Sequence, residues 1–459
     1  MGVEFNPHIF REYDIRGEVV KDLTPAVVET LGKAFGSRVA RAKGKKVAIG
    51  RDVRLSSDSL FQLLSKGICS TGCDVVDIGM VPTPLLYFSQ FHLRVDAAVM
   101  ITGSHNPPEF NGFKLLINKE GVWGREIQVV AEEMKAGDFV VGNGTVTKVD
   151  VINPYIAMVK EKIKFSRKIK VVIDSGNGCG GLVAPRLFRE MGCEVIELFS
   201  KPDGTFPNHH PDPTVLKNTE ALRREVVAQK AWLGIGYDGD ADRIGVVDEK
   251  GSLLYGDEVL MIFARDLLGR RRGAKVIFDV KCTSNLPEYV KRFGGVPIMS
   301  ATGHSIIKNR MHKEHAELAG EMSAHIFFAE DYFGYDDAIF ATARMLKIAD
   351  VASGPVSGFL ADVPKMHSTP EIRVECPDDL KFGIVRELVD YYRGRYDVID
   401  IDGVRIDFGG GWGLIRASNT QPVLVLRFEA RSAQDLERYK REVHAKLVTF
   451  KPLSSLRPF

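Results

Sequence analysis

Little in this chain points to a membrane, a nucleic acid or an oxidising compartment. Its 459 residues hold 62 Lys and Arg against 60 Asp and Glu, a formal net charge of +2. With no basic excess to neutralise a phosphate backbone, nucleic acid is excluded as the expected partner; a local basic cleft for a small phosphate ligand stays open. No apolar run is long enough to span a bilayer, so no membrane partner is expected. The start, Met1-Gly2-Val3-Glu4-Phe5-Asn6, lacks the basic and apolar stretches of a signal peptide, and Asn6 stands where a myristoylation signal has Ser or Thr. The six cysteines (Cys69, Cys73, Cys179, Cys193, Cys282, Cys376) form no CxxC pair and no Cys/His cluster of zinc spacing. They read as reduced residues of a cytoplasmic protein.

What is present is an ordinary globular composition, 44% hydrophobic and 27% charged. The length suits about three domains, within a range of roughly two to four. One strand pattern recurs: Lys46-Val47-Ala48-Ile49-Gly50-Arg51-Asp52, Lys170-Val171-Val172-Ile173-Asp174-Ser175-Gly176 and Lys275-Val276-Ile277-Phe278-Asp279-Val280-Lys281. Each has a basic entry, a continuous apolar run of the kind buried on both faces of a sheet, and a polar exit. The starts lie 124 and 105 residues apart, which predicts three α/β domains related by weak internal repetition. Helices are expected at 24–42 and 185–191. The last stretch differs: strands at 371–376, 404–408 and 423–428, helices at 380–392 and 432–447, and a hairpin turn at Asp402-Gly403 within 399–408 predict an α+β module. In 404–408, Val404, Ile406 and Phe408 alternate with Arg405 and Asp407, the pattern of a half-buried strand. The expected domains are 1–150, 151–253, 254–365 and 366–459.

Asp238-Gly239-Asp240-Ala241-Asp242-Arg243 is the most informative motif. It follows the apolar run 231–236, so the acids sit where a strand ends, a usual place for a ligand in an α/β sheet. Three converging carboxylates repel one another unless a hard cation joins them; magnesium, manganese and calcium all suit such oxygens. An EF-hand loop would use Asp238, Asp240, Asp242 and Glu249, but Arg243 stands where that loop needs glycine, and a strand rather than a helix leads in. A solvated acidic turn is the other alternative.

Thr102-Gly103-Ser104-His105-Asn106-Pro107-Pro108 follows the apolar run 97–101. Ser104 is either a nucleophile, a carrier of a phosphoryl group facing the same cation, or part of a structural turn. The prolines prevent an immediate helix, so this is no hydrolase elbow. Lys114 either neutralises phosphate or moves a proton, or is a surface lysine. Arg16, before Gly17, can fork onto a phosphate or make a surface ion pair. Gly320-Glu321-Met322-Ser323-Ala324-His325 suits vicinal sugar hydroxyls or is a plain polar loop. Arg416-Ala417-Ser418-Asn419-Thr420-Gln421-Pro422 is either a phosphate cradle or a hairpin turn. A cation site, a phosphorylatable serine, a hydroxyl-reading loop and a remote cradle together fit phosphoryl transfer on a sugar phosphate.

With Tyr13-Asp14-Ile15-Arg16-Gly17 these motifs, in this order and at this spacing, resemble the α-D-phosphohexomutase family on its bacterial phosphomannomutase/phosphoglucomutase branch, over essentially the whole chain. The resemblance implies four domains around a central cleft, three of similar α/β topology with a mixed sheet between helices, and a C-terminal α+β domain. It implies an isomerase that moves a phosphoryl group between C1 and C6 of mannose and glucose phosphates through a phosphoserine and a hexose 1,6-bisphosphate, which also serves as activator. Ser104 would carry the phosphate. Asp238, Asp240 and Asp242, with an oxygen on Ser104, would hold one Mg²⁺ per chain. Arg16, His105, Lys114, Arg243 and His325 would act around the transferring group. Tyr13, Lys281 and His304 would contact the substrate, Glu321 and Ser323 the sugar hydroxyls, and Arg416, Ser418, Asn419 and Thr420 the phosphate that is not reacting. Ala324 departs from the glycine expected there. The partners are hexose phosphates, and a monomer or weak dimer is expected. The rival readings are a phosphoglucosamine mutase, a catalytically silent sugar-phosphate-binding protein on the same fold, and a metal-dependent phosphatase.

Overall fold

The computed structural model describes residues 3–419 and 421–459. Its contacts divide the chain into two compact units, Met1–Phe263 with Ser323–Phe359, and Ala264–Met322 with Leu360–Phe459. Among the described residues no helix is long and apolar enough to cross a membrane.

The three Lys-initiated segments form the strands Lys46–Arg51, Lys170–Asp174 and Lys275–Asp279. Each has a parallel strand on both sides: Asp74–Met80 and Ala97–Ile101 in the first sheet, Glu194–Leu198 and Leu233–Tyr237 in the second, Val296–Ser300 and Leu318–Gly320 in the third. The weak sequence repeat is therefore a structural repeat. Parallel neighbours need long crossovers, and the helices between the strands supply them. In the first unit an antiparallel strand then extends each sheet, Phe110–Ile117 beside Ala97–Ile101 and Ile244–Asp248 beside Leu233–Tyr237. The sheets are thus mixed. Ile15–Glu18 adds a further antiparallel strand on Phe110–Ile117.

This topology brings the polar exits to one end of each sheet. Ala97–Ile101 leads to Ser104, Leu233–Tyr237 to Asp238, and Lys275–Asp279 to Lys281. These are the carboxyl ends of parallel strands, where ligand sites gather in α/β sheets. The helix over 24–42 is Pro25–Arg41, whose Val28, Leu31 and Phe35 bury against Val47, Ile49 and Val99 of the first sheet.

In the second unit the C-terminal sheet is antiparallel. Val423–Ala430 pairs with Gly411–Ala417 and Ile372–Glu375, and Asp397–Ile399 and Val404–Asp407 form the Asp402-Gly403 hairpin. Helices Lys381–Arg393 and Ala433–Leu447 cover it through Leu388, Tyr392, Tyr439 and Val443. One expectation fails here. Arg405 does not face solvent: it is 6% exposed, donates to the carbonyls of Val280 and Cys282, and lies 3.8 Å over the Trp412 ring. Alternation marks a wet face only when the polar side chain has no buried partner.

The helix Ala338–Val351 begins at a buried carboxylate. Asp337 caps it by accepting from Phe340 N at 2.8 Å, and also accepts from Tyr155 at 2.8 Å and Tyr332 at 2.6 Å. Burial pushes the Asp337 carboxyl up to about 6 against these hydrogen bonds. The folded chain then binds a proton that the unfolded chain has released, so stability is higher below the ordinary carboxylate range and falls as pH rises through about 6. Asp337→Asn keeps the cap acceptor and removes the proton; it is expected to flatten the decline in urea midpoint between pH 4 and 6.5 (approximate bounds set by the shift).

Candidate active site

The first unit brings Ser104 against the aspartate loop. Ser104 takes a left-handed φ of 49° and is 3% exposed. A non-glycine residue held there costs roughly 1–3 kcal/mol and persists only where its surroundings over-determine it. The surroundings do so: Ser104 N donates to Thr102 Oγ1 at 2.8 Å, its carbonyl accepts from Arg54 at 3.0 Å, and its hydroxyl donates to Asp238 Oδ2 at 2.9 Å. His105 Nδ1 lies 3.1 Å from the same hydroxyl.

The close approach depends on Gly239. A Cβ there would stand 2.4 Å from the Ser104 carbonyl oxygen, so any side chain would force the two loops apart. Asp238, Asp240 and Asp242 are at most 1% exposed, which disposes of the solvated turn. Glu249 disposes of the EF-hand: it follows Ile244–Asp248, the strand that runs back from the loop, and bonds to Ser357.

Buried carboxylates need compensation. Lys114, 5% exposed, donates to Asp240 Oδ2 at 2.9 Å and Asp242 Oδ2 at 2.5 Å. Burial works to lower its pKa, but Asp240 and Asp242 outweigh that and hold it well above the ordinary lysine value. Asp242 is likewise held well below the usual carboxylate range, burial being overcome by Lys114 and by His325, whose Nε2 lies 3.3 Å from Asp242 Oδ1. Asp238 goes the other way: burial and the charges of Asp242 and Asp240 raise it well above that range. Burial and the cations Arg243 and Arg16 push His105 well below its ordinary value. Arg243 Nε stands 3.9 Å from Asp238, and the backbone of Arg243 bridges to His325. Arg16 is tied to Asp14 at 2.5 Å and to Asn106, in the serine loop, at 3.0 Å. Tyr13 is half-buried, before the strand that carries Arg16.

The aspartate oxygens fit a divalent cation. They come within 4.8 Å of one another, and Asp240 Oδ1, though buried, has no hydrogen-bond partner among the described residues. Such a hard-oxygen set with a spare buried lone pair suits Mg²⁺ or a similar ion. Two neighbours carried no signal in the sequence: Thr83, which donates to Asp240 Oδ2 at 2.6 Å, and Asp336, grouped with Asp242 and His325. Thr83 sits in Pro82-Thr83-Pro84, which reads locally as punctuation. Ser323 meets His325 Nδ1 at 3.1 Å. Ala324 adopts the left-handed φ of 69° that glycine would take, with its carbonyl accepting from Ile244 N.

In the second unit, Lys281 donates to Glu371 at 2.8 Å and lies 3.8 Å from Asp279. Lys281 holds the Glu371 carboxyl down to about 2. Glu321 Oε1 accepts from Gly303 N at 2.7 Å, beside His304, which opens the helix His304–Glu314. Asp402 joins this region to the segment 416–422 by accepting from Thr302 N and Arg416 Nε, each at 3.0 Å. Within that segment, Ser418 Oγ accepts from Gln421 N at 3.1 Å, Asn419 is half-buried, and Thr420 lies outside the described residues. Lys381, which sequence reading missed, is 3% exposed and donates to the carbonyls of Ser418 at 2.5 Å and Gln421 at 2.9 Å.

Family models for the α/β/α domains I, II and III of phosphoglucomutase/phosphomannomutase match residues 7–140, 153–251 and 255–366, and that for the C-terminal domain matches 371–446. The chain is 45% identical to the phosphomannomutase/phosphoglucomutase of Pseudomonas syringae pv. tomato, over 97% of this chain and 96% of that one. It is 43% identical to the phosphoglucomutase of Neisseria meningitidis serogroup A, over 95% and 96%. A solved phosphoglucomutase/phosphomannomutase family protein from Burkholderia thailandensis superposes with a TM-score of 0.90 at 39% identity, covering 98% of this chain and 99% of that one.

Gly239→Ala tests the approach of the two loops. It is expected to cost about 1–3 kcal/mol of stability through overpacking, and to weaken Mg²⁺ or Mn²⁺ binding measured by calorimetry. Unchanged cation affinity would show that the loops need not meet.

Proposed function

The chain belongs to the phosphoglucomutase/phosphomannomutase family, and on that premise we propose that it moves a phosphoryl group reversibly between C1 and C6 of mannose and glucose phosphates. The observation that carries this reading is Ser104 Oγ, held 2.9 Å from a buried aspartate of a cation-suited triad. Ser104 gives its phosphoryl group to one end of a hexose monophosphate. The bisphosphorylated sugar turns over and returns its other phosphate to Ser104.

The roles follow the chemistry of the side chains. Asp238, Asp240 and Asp242, with an oxygen on Ser104, would hold one Mg²⁺. When bound, the ion supplies positive charge to the oxygens of the transferring group. The 3.1 Å approach of His105 to Ser104 Oγ supports exchange of the serine proton. Lys114, Arg16, Arg243 and His325 contribute cationic or proton-carrying groups around the phosphoryl group. Tyr13, Lys281 and His304 are assigned to the substrate, and Glu321 and Ser323 to the sugar hydroxyls. Arg416, Ser418, Asn419 and Thr420 are assigned to the phosphate at rest, because a cradle that grips phosphate rather than one ring face accepts the sugar in either direction.

A hexose 1,6-bisphosphate would prime Ser104 and serve as activator. The partition 1–150, 151–253, 254–365 and 366–459 goes with this reading. The free thiols of Cys69, Cys73, Cys179, Cys193 and Cys376 suit the cytoplasm, where we take the protein to work on small hexose phosphates as a monomer or weak dimer.

The test is a Mg²⁺-dependent assay of mannose 1-phosphate, glucose 1-phosphate and glucosamine 1-phosphate, primed with glucose 1,6-bisphosphate, beside intact mass. One added phosphate on the protein and isomerisation of the first two sugars are expected. Faster turnover of the glucosamine phosphate would make it a glucosamine mutase, and steady release of inorganic phosphate a phosphatase. Ser104→Ala is expected to lose the added mass and lower kcat by roughly a thousandfold or more, the scale of removing a covalent route. Asp240→Asn is expected to abolish Mg²⁺-dependent transfer while leaving the circular dichroism spectrum intact. Activity in Ser104→Ala, or no phosphate on the wild-type protein, would sink the mutase mechanism.

A further inference from the structure

Beneath the serine loop lies a buried arginine that the reaction as described does not use. Arg54 follows the strand Lys46–Arg51 and its side chain is fully buried. Its guanidinium donates to three backbone carbonyls of the serine loop, Ser104 at 3.0 Å, Asn106 at 2.5 Å and Pro107 at 2.5 Å, and to that of Phe110, the first residue of the strand Phe110–Ile117, at 2.8 Å. Its Nε donates to Asp52 at 3.1 Å. Asp52 in turn accepts from the backbone N of Gly103 at 3.0 Å and of Arg54 at 3.0 Å, and from Ser57 Oγ at 2.6 Å. The pair therefore grips the loop from both sides of Ser104, by the amide before it and the carbonyls at and after it.

The packing around the guanidinium is equally specific. A Cβ on Gly103 would stand 2.4 Å from Arg54 Nε, so the loop backbone lies directly against the guanidinium plane. On the side of the second sheet, the Phe206 ring has its centroid 5.4 Å from Arg54 Cζ, and Val53 clusters with Phe206 and Cys179. The segment that carries Cys179 also meets the aspartate loop, since Cys179 N donates to the Gly239 carbonyl at 2.9 Å. Arg54 thus stands where the serine loop and the supports of the aspartate loop come together.

We propose that Arg54, anchored by Asp52, is the positioning residue that holds Ser104 in its left-handed conformation facing the aspartate triad. It touches neither substrate nor cation. It acts by fixing the carbonyls of residues 104–110, so that the serine oxygen keeps its place as phosphoryl acceptor and donor. Only a guanidinium does this: its planar fork offers five N–H groups in fixed directions, whereas an ammonium offers three. The inference rests on Ser104 being the phosphoryl carrier.

The experiment compares wild type, Arg54→Lys and Asp52→Asn as full-length proteins with Mg²⁺. Three things are read: phosphorylation of Ser104 by saturating glucose 1,6-bisphosphate in a single turnover, kcat and KM for glucose 1-phosphate, and Mg²⁺ affinity. A misplacement of about 1 Å at a reacting atom costs on the order of a hundredfold, so Arg54→Lys is expected to slow both the single turnover and kcat by roughly that factor. KM and Mg²⁺ affinity are expected to stay within about threefold, because the groups that bind the sugar and the ion are intact. Asp52→Asn, nearly isosteric, is expected to show the same split at smaller size, and it decides the matter if Arg54→Lys does not fold. A single turnover at the wild-type rate, or kcat falling only in step with the folded fraction, overturns the inference. A wild-type protein that never takes phosphate on Ser104 overturns the functional reading instead, so the two failures are told apart.

Discussion

Everything in the first unit depends on keeping three carboxylates together out of water. Asp238, Asp240 and Asp242 sit within 4.8 Å of one another and are almost wholly buried. Taking such charges out of solvent costs several kcal/mol per ion unless partners compensate. Lys114 supplies one positive charge, shared between Asp240 and Asp242, and Arg243 another, at longer range from Asp238. The backbone supplies dipoles, with the N–H groups of Asp242 and Arg243 on Asp238 Oδ1. Asp240 Oδ1 has no hydrogen-bond partner among the described residues. The cluster thus fits a cation, with Ser104, Lys114 and His325 packed around it.

A second constraint shapes the loops. A loop that must present a side chain has carbonyls that neither helix nor sheet satisfies. In this protein buried cations take that role. Arg54 reads the carbonyls of residues 104–110. In the second unit, Lys381 reads those of Ser418 and Gln421, while Arg405 and Arg427 take those of Val280, Lys281 and Cys282. Glu429 adds the reverse contact, accepting from Ser284 N at 2.9 Å and from Trp412 Nε1 at 2.9 Å. A charged hydrogen bond in a dry setting is stronger than a neutral one, and each loop is held by such bonds.

These cations also mark where the sequence stops being legible. The repeated Lys-initiated strands, the helix Pro25–Arg41 and the closing helix Ala433–Leu447 were all readable, because each is encoded by the periodicity of contiguous residues. Ser104, the three aspartates and Arg416 stood out because small and polar residues cluster at strand ends in short motifs. Arg54, Asp336 and Lys381 did not stand out, since each sits among other charged residues in a stretch that matches no motif. Arg405 was misread because its alternation with Val404 and Ile406 is that of a wet strand, while the carbonyls it donates to lie more than 120 residues earlier.

By itself, then, the chain determined the order of its elements, the strand ends at which chemistry gathers, and a donor set that suits a hard cation and a phosphate. Tertiary structure alone decided that Asp238 lies 2.9 Å from Ser104 rather than from Glu249, that Lys114 is buried and shared, and that Arg54 faces the serine loop. The reason is physical. Periodicity and turn chemistry act over a few residues, whereas burial and charge pairing are set by which strands become neighbours, and Ser104 and Asp238, 134 residues apart, meet only once both sheets have formed.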